Sequence, residues 1–185
     1  MVKKQLNKGD LVMFTKKLAR SIMVSAVIIF WNLSASSFAD EKTGDSELSK
    51  ALTQVKLFSN LSDQERDELK SVAKLRHAKA GERIIEEGKK LDRMFIAMDG
   101  QTEVWLKGKC IVKYTGQALV GEFEFLDKTS ATADVTLTKE TDVIELDYAA
   151  LEALMEKQPW LGCRLMREIA KTEIQRLRDN DSRSK

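Results

Sequence analysis

Apolar positions recur at helical spacing at both ends of residues 45–178, and between them the chain breaks into short β-type runs punctuated by glycine. Leu48, Ala51, Leu52 and Val55 fall at i, i+3, i+4 and i+7 behind Asp45 and Ser46, two residues that can cap, so a short helix with one docking face is expected. Leu57-Phe58 ends it. Ser62 and Glu65 then supply the S-x-x-E capping box of a second helix carrying Leu69, Val72 and Ala73. From Lys74 onward Gly81, Gly88, Gly100, Gly108 and Gly116 separate the runs. MFIAM (Met94 to Met98) followed by Asp99-Gly100 and TEVWL predicts one hairpin, and Lys107-Gly108-Lys109 leading into CIVKY predicts another. ADVTL and DVIEL, joined by TKET, follow. Strands this short, with turns this frequent, predict a mainly β fold: a jelly-roll β-roll (double-stranded β-helix) preceded by two short helices and followed by two C-terminal ones. After Asp147 the helical spacing returns with Leu151, Leu154 and Met155. Pro159 suits the first turn of a last helix, which carries Leu165, Met166, Ile169, Ala170, Ile174 and Leu177 as far as residue 178, before the polar tail RDNDSRSK.

The first 39 residues follow a different pattern. A basic region through Arg20 precedes an apolar core, IMVSAVIIFWNL, and a small-residue stretch, SASSFA, before Asp40. This is the order of a secretory signal peptide, with Ser37 and Ala39 at the two positions that specify a cut after Ala39. The core is shorter than the roughly 20 residues of a membrane span, which favours a cleaved signal over a signal anchor. Either way the basic flank stays in the cytoplasm and the body, residues 40–185, lies beyond the membrane. That predicts a periplasmic or secreted domain, membrane-bound only if the segment stays uncut. Met13 would begin a signal of more usual length, MFTKKLARSIMVSAVIIFWNLSASSFA.

Charge excludes one class of partner. The chain has 31 basic and 29 acidic side chains, but the first 39 residues hold six basic and one acidic, which leaves 25 basic and 28 acidic from residue 40 onward. The body is mildly acidic, so neither nucleic acid nor another polyanion is an expected partner. Cys110 and Cys163 are the only cysteines, one in a predicted strand and one in the last predicted helix; they read as small apolar core residues rather than as a bridge.

With these pieces placed, residues 50–178 resemble the cyclic nucleotide-binding domain family, of the Crp/Fnr or protein kinase A regulatory type. LFSNLSDQERDELKSVAKLRHAKAGERIIEEG is similar to the family's entry helices and first strands, and MFIAMDGQTEVW to its central hairpin. Residues 120–135, VGEFEFLDKTSATADV, fall where the family has its phosphate-binding cassette, roughly F-G-E-[LIM]-A-[LF]-L, a spacer, then R-[ST]-A. The resemblance implies ligand-binding roles for Gly121, Glu122, Phe123, Thr132 and Ala133, with Phe125 and Leu126 as apolar residues of the short cassette helix. It implies that Glu122 accepts from a ribose hydroxyl.

Two positions depart from the pattern. Glu124 stands where the family has a small Ala, and the position of the phosphate-binding Arg falls on Ala131 counting without gaps, or on Thr129 in a shifted reading, neither of them basic. Losing a charge-assisted hydrogen bond removes roughly 1.5 to 3 kcal/mol. A carboxylate about 5 Å from a phosphate adds about 3 kcal/mol of repulsion at an effective dielectric near 20. Together these would take a micromolar site, worth about −8 kcal/mol, to millimolar. The degenerate cassette therefore predicts weak or lost cyclic nucleotide affinity, with Lys128 and Arg176 as the remaining candidate cations. A neutral or differently charged ligand is the alternative occupant. No other cofactor is implied.

Nothing else in the sequence suggests chemistry. There is no Gly-rich phosphate loop, paired-carboxylate site or metal cluster, so a catalytic role is not expected. His77, the single histidine, reads as a strand-surface residue, and Trp105 and Trp160 read as core or helix-docking residues. Two function classes stand side by side: a non-enzymatic sensor or small-molecule-binding module, and a non-binding interaction module that keeps the fold for dimerisation or docking. In the resembled family the last helix often pairs two copies, which makes a homodimer through residues 159–178 the candidate assembly.

Overall fold

The computed structural model describes residues 44–183. The chain divides into two units, Met1–Gly44 and Asp45–Lys185, and the second is the one described below. The expected signal segment, its cut after Ala39 and the alternative start at Met13 lie outside the described residues. No helix among the described residues is long and apolar enough to cross a membrane.

Helix α1 (44–54) buries Leu48, Ala51 and Leu52, and Val55 follows it into the core, as the i, i+3, i+4, i+7 spacing predicts. A 3-10 turn, Lys56–Phe58, precedes α2 (Asp63–Leu69). The capping box of α2 forms in both directions: Ser62 Oγ accepts the Glu65 amide, and the Glu65 carboxylate accepts the Ser62 amide. The helix is shorter than expected. Val72 lies in the turn after it, and Ala73 already opens β1.

The strands are β1 (Ala73–Ala78), β2 (Arg83–Ile85), β3 (Arg93–Leu106), β4 (Lys109–Val120), β5 (Asp134–Leu137) and β6 (Thr141–Asp147). They form one antiparallel sheet in the order β1-β6-β3-β5-β2, with β4 paired to β3. The order of elements is that of the expected roll with its flanking helices. Two-residue alternation gives the sheet two apolar faces. Met94, Ile96, Leu119, Ile144 and Leu146 pack against the helices, while Phe95, Ala97, Ala118, Val120 and Val143 point into the roll with Ile85, Val135 and Leu137.

Of the two expected hairpin turns, only the later one forms. Lys107 (φ 50°) and Gly108 (φ 76°) make a two-residue connection between β3 and β4, in the doubly left-handed backbone that matches strand twist. Asp99-Gly100 is not a turn. Strand β3 runs through it with a shift of register between Ala97 and Gly100. The glycine is there for closeness, because a Cβ would stand 3.2 Å from Thr141 Cγ2, and the neighbouring Asp99 amide donates to Thr141 Oγ1 at 3.0 Å.

Helix α3 (Glu122–Asp127) follows β4, and α4 (Tyr148–Lys157) and α5 (Pro159–Arg183) close the chain. Pro159 is the first residue of α5, where its missing N–H leaves no helix bond unmade. The helix continues through Arg183, beyond the expected fraying at residue 178.

Candidate functional site

The cassette begins at a backbone corner. Gly121 takes φ 87°, and a Cβ there would meet Met94 Cα and Tyr148 Oη, each at 3.2 Å, so both conformation and space demand glycine. The Tyr148 hydroxyl donates to the Gly121 carbonyl at 2.6 Å, which fixes the corner to the start of α4. Phe125 packs on Tyr148 with ring centroids 5.2 Å apart. Burial, with the Glu124 and Glu122 carboxylates close by, pushes the Tyr148 hydroxyl well above its ordinary value, so it serves as a donor.

Next to this corner lies a cavity of about 240 Å³. Ile85, Val104, Val112 and Val135 of the roll supply its apolar side, and Gly121, Glu122, Phe123 and Glu124 supply one rim. Thr132 and Ala133 line it as well, and α5 closes it with Glu173, Arg176, Leu177 and Asn180. All five residues to which the resemblance assigns ligand contact therefore reach one space. Phe123 is half exposed at its mouth.

Glu122 is not a solvated surface residue. It is 3 % exposed, and its carboxylate receives the Arg176 guanidinium, which also donates to the Leu119 carbonyl and to Glu173. The guanidinium stacks over Tyr114, 4.5 Å from the ring centre. Burial pushes the Glu122 carboxyl up to about 7, while Arg176 pulls it down. Of the two candidate cations, packing selects Arg176. Lys128 pairs with Glu152 and lies over the Phe125 ring.

The two departing positions behave differently. Glu124 lines the cavity, is 7 % exposed, and accepts the Thr132 amide at 3.2 Å. Ala131 does not face the cavity as expected from its place in the cassette; it is 3 % exposed and packs with the apolar residues inside the roll. No cation replaces the family's Arg from that side.

Residues 75–158 match the family model described as the cyclic nucleotide-binding domain. The chain carries that fold. A cyclic nucleotide-binding domain from Methylobacillus flagellatus superposes with a TM-score of 0.65 at 24% identity, covering 75% of this chain and 81% of that one. A putative cyclic nucleotide-binding protein from Geobacter metallireducens gives a TM-score of 0.60 at 21% identity, covering 66% and 92%. The regulatory subunit of a cAMP-independent protein kinase A from Trypanosoma brucei gives 0.60 at 21%, covering 70% of this chain and 46% of that one. A variant of that subunit, with a Glu changed to Ala, a Thr changed to Arg seven positions later and the next Val changed to Ala, is bound to cAMP in its A site. No curated protein matched the chain in sequence.

The remaining candidates of the cyclic nucleotide-binding fold sort by packing. His77 lies exposed on β1 with Nδ1 2.9 Å from Asp142, as a strand-surface histidine. Trp105 is half-buried and donates to Glu103, whereas Trp160 is 78 % exposed and docks on nothing among the described residues. Both cysteines are free. Cys163 is exposed and Cys110 only half-buried, so neither is the core residue expected. Helix α5 divides its apolar set: Leu165 and Ile169 are in the core, while Ala170, Ile174 and Leu177 are exposed.

Proposed function

We propose that this chain is an exported, non-enzymatic binding module on the cyclic nucleotide-binding fold, with weak or lost affinity for cyclic nucleotide itself. The observation that carries the proposal is Glu124, a buried carboxylate that holds the Thr132 amide on the cavity wall where the family has a small residue. A phosphate brought there would meet a negative charge in place of a guanidinium. The Trypanosoma variant supports the same reading, since its Glu-to-Ala and Thr-to-Arg changes are seven residues apart, the separation of Glu124 and Ala131 here. The signal-like first 39 residues support a place in the periplasm or outside the cell.

The test is calorimetry of the full chain with cAMP and cGMP. The wild type should show little heat up to about a millimolar, and Glu124→Ala, which removes the repelling charge from the cavity wall, should recover about 3 kcal/mol, roughly a hundredfold in affinity. Micromolar binding by the wild type overturns the proposal.

A second reading, an assembly module, is favoured by the outer face of α5. Trp160, Cys163, Arg167, Ala170, Ile174 and Leu177 are all exposed and recur at alternating steps of three and four, the seam of a two-stranded coiled coil. The occupant would be a second copy in parallel. Arg164, Lys171 and Arg178 all flank one side of the seam, so an antiparallel partner would set like charges together, whereas a parallel one sets Arg178 against Glu173.

A further inference from the structure

Four charged side chains line the cavity: the carboxylates of Glu122, Glu124 and Glu173, and the guanidinium of Arg176. Arg176 is committed to Glu122 and Glu173. Glu124 is left over. One of its oxygens accepts the Thr132 amide, but among the described residues no group donates to the other oxygen, and no Lys, Arg or His forms an ion pair with it. Glu124 is part of the cavity lining, so a ligand that brings a cation can supply the missing partner.

We propose that the cavity takes a small organic cation, with its protonated amine on Glu124 and its apolar body against Ile85, Val104, Val135 and Phe123. This rests on the binding-module reading and names the chemistry of the ligand. Three observations point the same way. The unpaired oxygen belongs to a residue of the cavity wall. Arg176 is already shared between Glu122 and Glu173, so the wall keeps a net negative charge that repels an anion and attracts a cation. The rest of the lining is largely aliphatic, suited to a hydrocarbon body but offering few donors or acceptors for a polyhydroxylated one. A neutral hydroxyl would fill the hydrogen bond and leave the charge uncompensated.

The experiment titrates the full chain with three probes that share one skeleton: 2-phenylethylamine, 2-phenylethanol and 3-phenylpropionate. Binding is followed by NMR at the amides of Gly121, Thr132 and Val135. The amine should bind at least about tenfold more tightly than the alcohol, the difference expected of an ion pair over a hydrogen bond from an uncharged donor, and the carboxylate should not bind. Glu124→Gln, which keeps an acceptor for Thr132 and loses the charge, should erase the advantage of the amine over the alcohol. Equal binding of amine and alcohol, preference for the carboxylate, or an amine advantage that survives Glu124→Gln overturns the inference. Adenosine, as an uncharged control, separates the two levels. If it alone perturbs these amides, the cation is wrong and the binding module stands. If neither it nor any probe does, both fall.

Discussion

Arg176, about two turns from the end of α5, donates to the carboxylate of Glu122 at the first residue of α3, so a single guanidinium ties the last helix to the cassette. Its side chain is only 16 % exposed and it also serves Glu173 and the Leu119 carbonyl. Arg176→Met should therefore lower the unfolding free energy by about 3–5 kcal/mol, because it strands a buried carboxylate. Adding Glu122→Gln should recover much of that loss. Urea denaturation of the two single variants and the double gives the coupling directly, and additivity would show that the pair is not energetically linked.

The same carboxylate sets a pH dependence. Burial holds the folded Glu122 near 7 against an ordinary 4.5, so between those values the folded chain keeps a proton that the unfolded chain has released. Its contribution to stability is full below pH 4.5, falls as pH rises towards 7, and is flat above. Glu145 acts in a different window. Burial raises it but hydrogen bonds from Arg76 and Arg93 outweigh that, so its contribution is present above 4.5 and lost in acid. The stability difference between wild type and Glu122→Gln should thus shift against the wild type from pH 5 to pH 7. A difference independent of pH across that range would place the Glu122 pKa at its ordinary value.

Two isoleucines five residues apart on α5 should answer differently. Ile169 is 1 % exposed in the core, and Ile169→Ala should cost about 2–5 kcal/mol with no direct effect on assembly. Ile174 is 48 % exposed on the outer seam, and Ile174→Glu should leave the fold intact while converting a dimer to a monomer by light scattering. A wild type already monomeric at high micromolar concentration would remove the second-copy reading.

Export has its own check. Mass spectrometry of the protein from its native cell should find a mature N-terminus at Asp40. An uncut chain in the cytosolic fraction would contradict it.

Much of the fold was legible because it is written in local signals. The Ser62–Glu65 capping box, Pro159 at a helix start and Lys107-Gly108 at a two-residue turn each depend on a few adjacent residues. Gly100 misled for a physical reason: a glycine required for turning and a glycine required for the approach of Thr141 look the same until β6 is in place. The apolar set of α5 misled likewise, since its two sides face different surroundings and the spacing of Leu165, Ile169, Ile174 and Leu177 does not say which side meets the roll. At the site, Gly121 and Glu122 could be located from their order alone. That Arg176 rather than Lys128 reaches Glu122, and that Ala131 turns inward while Glu124 faces the cavity, follows from packing between segments up to 54 residues apart.

The pairing of β1 with β6 sets an order of events. Ala73 lies opposite Leu146 and Ala78 opposite Thr141, so the first strand of the roll waits for nearly the last before either of its long-range bonds can form. A chain emerging N-terminus first holds β1 unsatisfied until about 70 further residues have appeared, and closure across such a separation is slow. Under the proposed export, that delay would be a margin of time: the roll cannot lock before Asp147 has arrived.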